Sequence, residues 1–194
     1  MINHQTETKT ATLPPSHEAF AVLSIIENTL NPDKSNFTKI TPHILENRRF
    51  SWPTFCILGA TVKSAFKNPA MRVQENGANL LELMLRTEAG FITGKRKKIL
   101  VELAQNFSDL SYVTNLRKST GLKDSYNIER DGEHRCEAAH TLHNNVKDKE
   151  LKAIFQTALE SIAKWGLYPE NSKRAQNYLK EISNAVTEPA PVLT

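Results

Sequence analysis

The chain has 194 residues, of which 39% are hydrophobic and 24% charged, with two cysteines and a net charge of +4. Those values suit one domain with its own core and exclude the disordered class. The longest apolar runs fall well short of the ~20 residues that span a bilayer, and the polar opening has no signal-peptide core, so a cytoplasmic protein is expected.

Residues 1–15 are polar, threonine-rich and closed by Pro14-Pro15, which predicts a flexible arm. Residues 184–194, with Pro189 and Pro191, predict a flexible tail. Between them one helical domain is expected over 16–183. Ser16 can cap a first helix with the stripe Phe20, Leu23, Ile26 and Leu30, stopped by Asn31-Pro32. Thr41-Pro42 repeats the start signal for a short helix over 43–49. Ser51-Trp52-Pro53 opens a third, whose buried face should be Phe55, Leu58, Gly59, Val62 and Phe66.

Asn68-Pro69 leads into a fourth helix with Val73, Gly77, Leu80, Leu81 and Met84 inward, Gly77 allowing a close approach, and Gly90 as the stop. A fifth places Ile99, Leu100, Leu103, Ala104 and Phe107 inward, and Asp109 can cap a sixth that carries Leu110, Val113 and Leu116 to Gly121. Residues 122–145 are polar and turn-prone at Asp131-Gly132, with a short helix expected over 133–143. The strongest stripe follows: Leu151, Ile154, Phe155, Ala158, Ile162 and Trp165, ended by Gly166. A last helix over 172–183 rests on Ala175, Tyr178, Leu179 and Ile182. No segment alternates with period two, so the fold class is all-α, a bundle or a stack of about eight helices.

Charge is placed unevenly. Residues 91–125 hold seven basic residues against three acids, an excess equal to that of the whole chain. Lys95-Arg96-Lys97-Lys98 stands at a helix start, where free N–H groups and the macrodipole also attract anions, and Arg117 and Lys118 extend the cluster. An anionic lipid or acidic peptide would suit it, and a solvated helix start is the plainer alternative. His134, Cys136, His140 and His143 have zinc-compatible donors, but no second Cys or His pair completes a structural site, so no metal or cofactor is expected. Cys56 lies in an apolar stripe, where a buried free thiol is the common state, so no disulfide with Cys136 is expected.

Two segments carry a resemblance. Residues 67–90, Lys67-Asn68-Pro69 and then Val73-Gln74 through Leu80-Leu81-Glu82 to Gly90, resemble a helix of VHS domains that follows a short Asn-Pro turn. Residues 146–165, from Val146-Lys147-Asp148-Lys149 to Trp165, resemble a later VHS helix ending in tryptophan. The resemblance implies a right-handed superhelix of the VHS/ENTH kind. It also implies a non-enzymatic adaptor in membrane trafficking that recognises a protein sorting signal or a phosphoinositide membrane. The first helix lacks the tryptophan that VHS domains use for ubiquitin, so ubiquitin binding is not implied. Residues 108–145 are longer than the family's connection and read as an insertion.

A monomer is expected, peripheral on membranes or translocated into a host cell as a bacterial effector, with no nucleic-acid partner. The competing class comes from Arg135-Cys136-Glu137-Ala138-Ala139-His140, which resembles the R-x4-H pattern of the all-helical HEPN ribonucleases. That resemblance would make Arg135 a phosphate ligand and His140 an acid–base group.

Overall fold

The computed structural model describes residues 15–33, 49–68, 70–88, 92, 94–109, 125–165 and 169–187. Among these residues the chain is all-helical, without a strand. The helices are α1 (Pro15–Leu30), α2 (Trp52–Phe66), α3 (Met71–Glu88), α4 (Gly94–Ser108), α5 (Ser125–Asn145), α6 (Lys149–Trp165) and α7 (Pro169–Thr187).

Local chemistry sets several helix starts. Ser51 Oγ accepts the Thr54 amide ahead of α2, and Pro53 occupies the first turn, where a missing N–H costs nothing. Asn68 Oδ1 accepts the Ala70 amide at 2.8 Å just before α3. Asp148 Oδ1 takes the amides of Glu150 and Leu151 at 3.0 and 3.2 Å, which caps α6. Gly94 begins α4 with φ at +58°, a conformation open to glycine.

The expected stripes of α2, α3 and α4 form a large part of the core. Phe55, Leu58, Gly59, Val62 and Phe66 of α2 are buried, as are Val73, Gly77, Leu80, Leu81 and Met84 of α3. Leu100, Leu103, Ala104 and Phe107 of α4 join them, with Ile99 at the edge. From α6 come Leu151, Phe155, Ala158 and Ile162, flanked by Ile154. Phe66, Phe107 and Phe155 form an aromatic chain through α2, α4 and α6, with successive ring centroids 5.8 and 6.1 Å apart. Burying each such side chain contributes about 1.5–3 kcal/mol. A Cβ at Gly77 would stand 2.8 Å from Ala65 Cβ, so α3 lies against α2 at a distance only glycine allows there.

Packing runs between near neighbours in the chain. Helix α1 rests on α2 and α3, α2 on α3 and α4, and α3 on α4 and α5. Further along, α4 rests on α6, α5 on α6 and α7, and α6 on α7.

Some expectations need correction. In α1 the buried face is Ala21, Val22, Ile25 and Thr29, while Phe20 and Leu23 are 75% and 66% exposed. Apolar residues run around that helix, and the side that turns inward packs on α2 and α3, where the buried Asn76 side chain of α3 also donates to Asn28 O at 3.0 Å. Residues 125–145 are helical throughout, where their composition suggests turns. Helix α5 runs for 21 residues straight through Asp131-Gly132, anchored by Cys136, Ala139 and Leu142 in the core. Glycine in a helix costs about 1 kcal/mol, and burial of those side chains exceeds it.

Helix α1 begins at Pro15, so Ser16 lies within its first turn, and α7 continues past Ser183 to Thr187. The helix expected over 43–49 lies outside the described residues save Arg49, which is not helical, and the one expected after Asp109 lies outside them as well.

Candidate functional site

Helices α3 and α5 line a cleft, with the small residues Ala78 and Ala138 in its lining. From α3 come Gln74, Glu75, Ala78 and Glu82, and from α5 His134, Arg135, Ala138 and Thr141, both sets at helical spacing on one face. Between them lies a cavity of about 350 Å³ whose lining includes the rings of Phe66 and Phe107. That volume is at the small end of ligand sites, ~300–1,000 Å³.

One wall is built by a chain of polar contacts. Arg135, buried, donates from Nη1 to Phe107 O at 2.9 Å and from Nη2 to Gln74 Oε1 at 2.7 Å. Its guanidinium carbon is 6.0 Å from the Phe107 ring centroid. Gln74 in turn donates to Asn68 O at 2.8 Å, so the wall is fixed to the turn before α3.

Three carboxylates edge the cavity. Glu75 pairs with Arg72 at 3.1 Å, and its buried Oε1 lies 2.7 Å from His134 Nε2 without an aligned hydrogen bond. Glu137 pairs with Arg174 of α7 at 2.7 Å. Glu82 accepts from the neutral amide of Asn145 at 3.2 Å.

The structure divides the basic run that the sequence singled out. Lys95 and Lys98 are exposed. Arg96 turns inward, where it bonds the buried Glu88, donates to Phe50 O at 2.6 Å and stands 4.6 Å from the Phe55 ring centroid. Lys97 bridges to Asp148 at 2.9 Å and Glu150 at 3.0 Å, and its hydrogen bond to Asp148, with that to Glu150, raises its pKa. Arg117 and Lys118 lie outside the described residues.

Arg135 and His140, which the ribonuclease alternative pairs, are not brought together. Arg135 reaches toward α3 and α4, whereas His140 stacks on Tyr178 of α7 with ring centroids 3.9 Å apart. The four zinc-type donors do not form one set, although His140 and His143 both contact the Asn144 side chain. His134 meets Glu75, His140 meets Tyr178, and His143 lies 3.3 Å from Asn144 Oδ1. Cys136 is in the core, where burial pushes its thiol up to about 12. Among the described residues no group of three or more His, Cys, Asp or Glu side chains is arranged to hold a metal ion. Both cysteines are free, and no described helix is long and apolar enough to cross a membrane.

Comparison of the chain with protein families, with curated proteins and with solved structures finds no match. The cleft therefore rests on its own geometry. Sequence reasoning missed Glu75, Ala78, Glu82 and Ala138. The signal that could have found them is a small residue at the centre of a polar stripe, Glu75-Ala78-Glu82 on one helix and His134-Ala138-Thr141 on the other.

Proposed function

We propose that this chain is a non-enzymatic binding module of membrane trafficking, built as a right-handed superhelix of the VHS/ENTH kind, which receives a protein partner in the α3–α5 cleft. The observation that carries this reading is the cleft itself, an aromatic-lined hollow with polar edges and a wall fixed by Arg135. A rigid concave site with an apolar lining and few oriented polar groups is what a partner side chain needs.

The superhelix is supported by the packing order, in which each described helix rests chiefly on described helices one or two places away, as in a stack. The trafficking assignment is supported by the two VHS-like segments, which fall on α3 and α6, and α3 is one side of the cleft. A protein partner is favoured over an anionic membrane because Arg96 and Lys97 are spent on contacts within the fold.

Affinity capture from eukaryotic cell lysate with the wild-type chain and with Ala138→Trp, which fills the cleft, tests this. Trafficking proteins should be enriched by wild type and lost with the variant. No such enrichment, or the same proteins on both, overturns the reading.

A further inference from the structure

The cavity has the size and polarity of a receptor for one long side chain. Phe66, Phe107, Ala78 and Ala138 give it an apolar interior, and three carboxylates stand in its lining. Two of these are met by cations of the protein, Glu75 by Arg72 and Glu137 by Arg174, whereas the contact of Glu82 is the neutral Asn145 amide.

The guanidinium in the cavity lining is at the other end. Arg135 is tied to Gln74, which precedes Glu82 by eight residues of α3, about 12 Å along a helix. His134 is at that same end, against Glu75. The Glu82 end is therefore electronegative and the Gln74 end is neutralised. An anionic guest would meet the Glu82 carboxylate, which pairs with no cation among the described residues. A cation on an apolar stem would lay the stem on the aromatic lining, whose ring faces also attract positive charge, and place its head at Glu82.

Resting on the docking reading above, we infer that the group this cleft takes is a lysine or arginine side chain of a partner peptide, with Glu82 as the residue that selects its charge.

The test is an NMR titration of the full-length chain with blocked pentapeptides, four alanines around a central arginine, lysine or glutamine. The basic peptides should move the backbone amides of Ala78, Glu82, Ala138 and Thr141 and bind at least tenfold tighter than the glutamine peptide. Glu82→Gln should erase that difference while leaving the helical signal and Tm unchanged, and Glu82→Lys should reverse the preference toward a glutamate peptide. Equal binding of arginine and glutamine peptides, a discrimination that survives Glu82→Gln, or shifts confined to other helices overturns the inference. The peptide comparison needs no variant, so a folding defect cannot hide the answer. If Ala138→Trp abolishes partner capture while the peptides bind without regard to charge, this inference falls and the docking reading stands. If capture ignores Ala138→Trp, the docking reading falls.

Discussion

Arg96 of α4 is bonded to Glu88 of α3, whose carboxylate is wholly buried. Arg49 grips the other oxygen of that carboxylate at 2.8 Å, so one anion ties the chain before α2 to the end of α3 and the start of α4. Removing Arg96 leaves Glu88 with Arg49 as its remaining cation, so the loss is that of charge-assisted hydrogen bonds, about 1.5–3 kcal/mol, and not that of an anion left alone. Arg96→Ala should therefore destabilise the chain by about that much in urea unfolding. Lys95→Ala, one residue away and exposed, should change stability by less than about 0.5 kcal/mol. Equal effects would show that the basic run is uniform surface.

That division bears on membranes. Each lysine near an anionic surface contributes about 1 kcal/mol, so within the run itself Lys95 and Lys98 supply only about 2 kcal/mol, too little by themselves for stable attachment. Wild-type chain should remain unbound in flotation with phosphoinositide vesicles at 0.15 M salt, as should the Lys95→Glu, Lys98→Glu double variant. Flotation of wild type that the double variant abolishes would make the run a membrane site. The double variant should be no less stable than wild type, because acids suit a helix N-terminus better than cations do.

Gly77 tests the contact between α2 and α3. Alanine gains up to about 1 kcal/mol in helix propensity but must fit a methyl 2.8 Å from Ala65 Cβ, which is fixed to the α2 backbone. Overpacking costs about 1–3 kcal/mol, so Gly77→Ala should lower stability. At Gly59 the nearest atom is the movable Ile99 Cγ2 at 3.1 Å, and Gly59→Ala should remain within about 0.5 kcal/mol of wild type. Chemical denaturation of both variants decides the order, and a Gly77→Ala variant as stable as wild type contradicts the close approach.

Acidification should weaken the fold in two steps. Burial holds the His143 imidazole below its ordinary 6.5, with Lys152 and His140 adding to the effect against the Asn144 contact. The unfolded chain then binds this proton more readily, so the stability His143 contributes is complete above 6.5 and is lost as pH falls toward the lowered folded value. For Asp148, burial pushes the carboxyl up, but Lys97 and the Leu151 and Glu150 amides outweigh it and leave it below its ordinary 3.8. Its contribution is present above 3.8 and lost only at still lower pH. Tm measured from pH 7 to 5 should fall in wild type and fall less in His143→Gln. Parallel curves would remove His143 from this role.

Much of the fold was legible because its signals are local. The α2 stripe from Phe55 to Phe66, the Ser51 cap and the glycine at Gly77 each depend on a few adjacent residues and behave as their spacing requires. The face of α1 was not legible. Phe20, Ala21, Val22, Leu23, Ile25 and Ile26 offer apolar groups on every side, and the choice among them is made by α2 and α3.

The site was less legible still. Arg96 and Lys97 look like Lys95 and Lys98 in sequence, and only the arrival of Glu88 and Asp148 distinguishes them. The cleft needs Ala78 and Ala138, sixty residues apart, to line one hollow, which no spacing rule within either helix can announce.

Site-specific photo-crosslinking in eukaryotic cells tests the central claim most directly, with a crosslinking phenylalanine analogue placed at Thr141, exposed at the edge of the cleft, or at Lys98 in the basic run. A covalent adduct with a trafficking protein from Thr141, and none from Lys98, is the predicted result. Adducts from Lys98 alone, or from neither position, would contradict a docking site between α3 and α5.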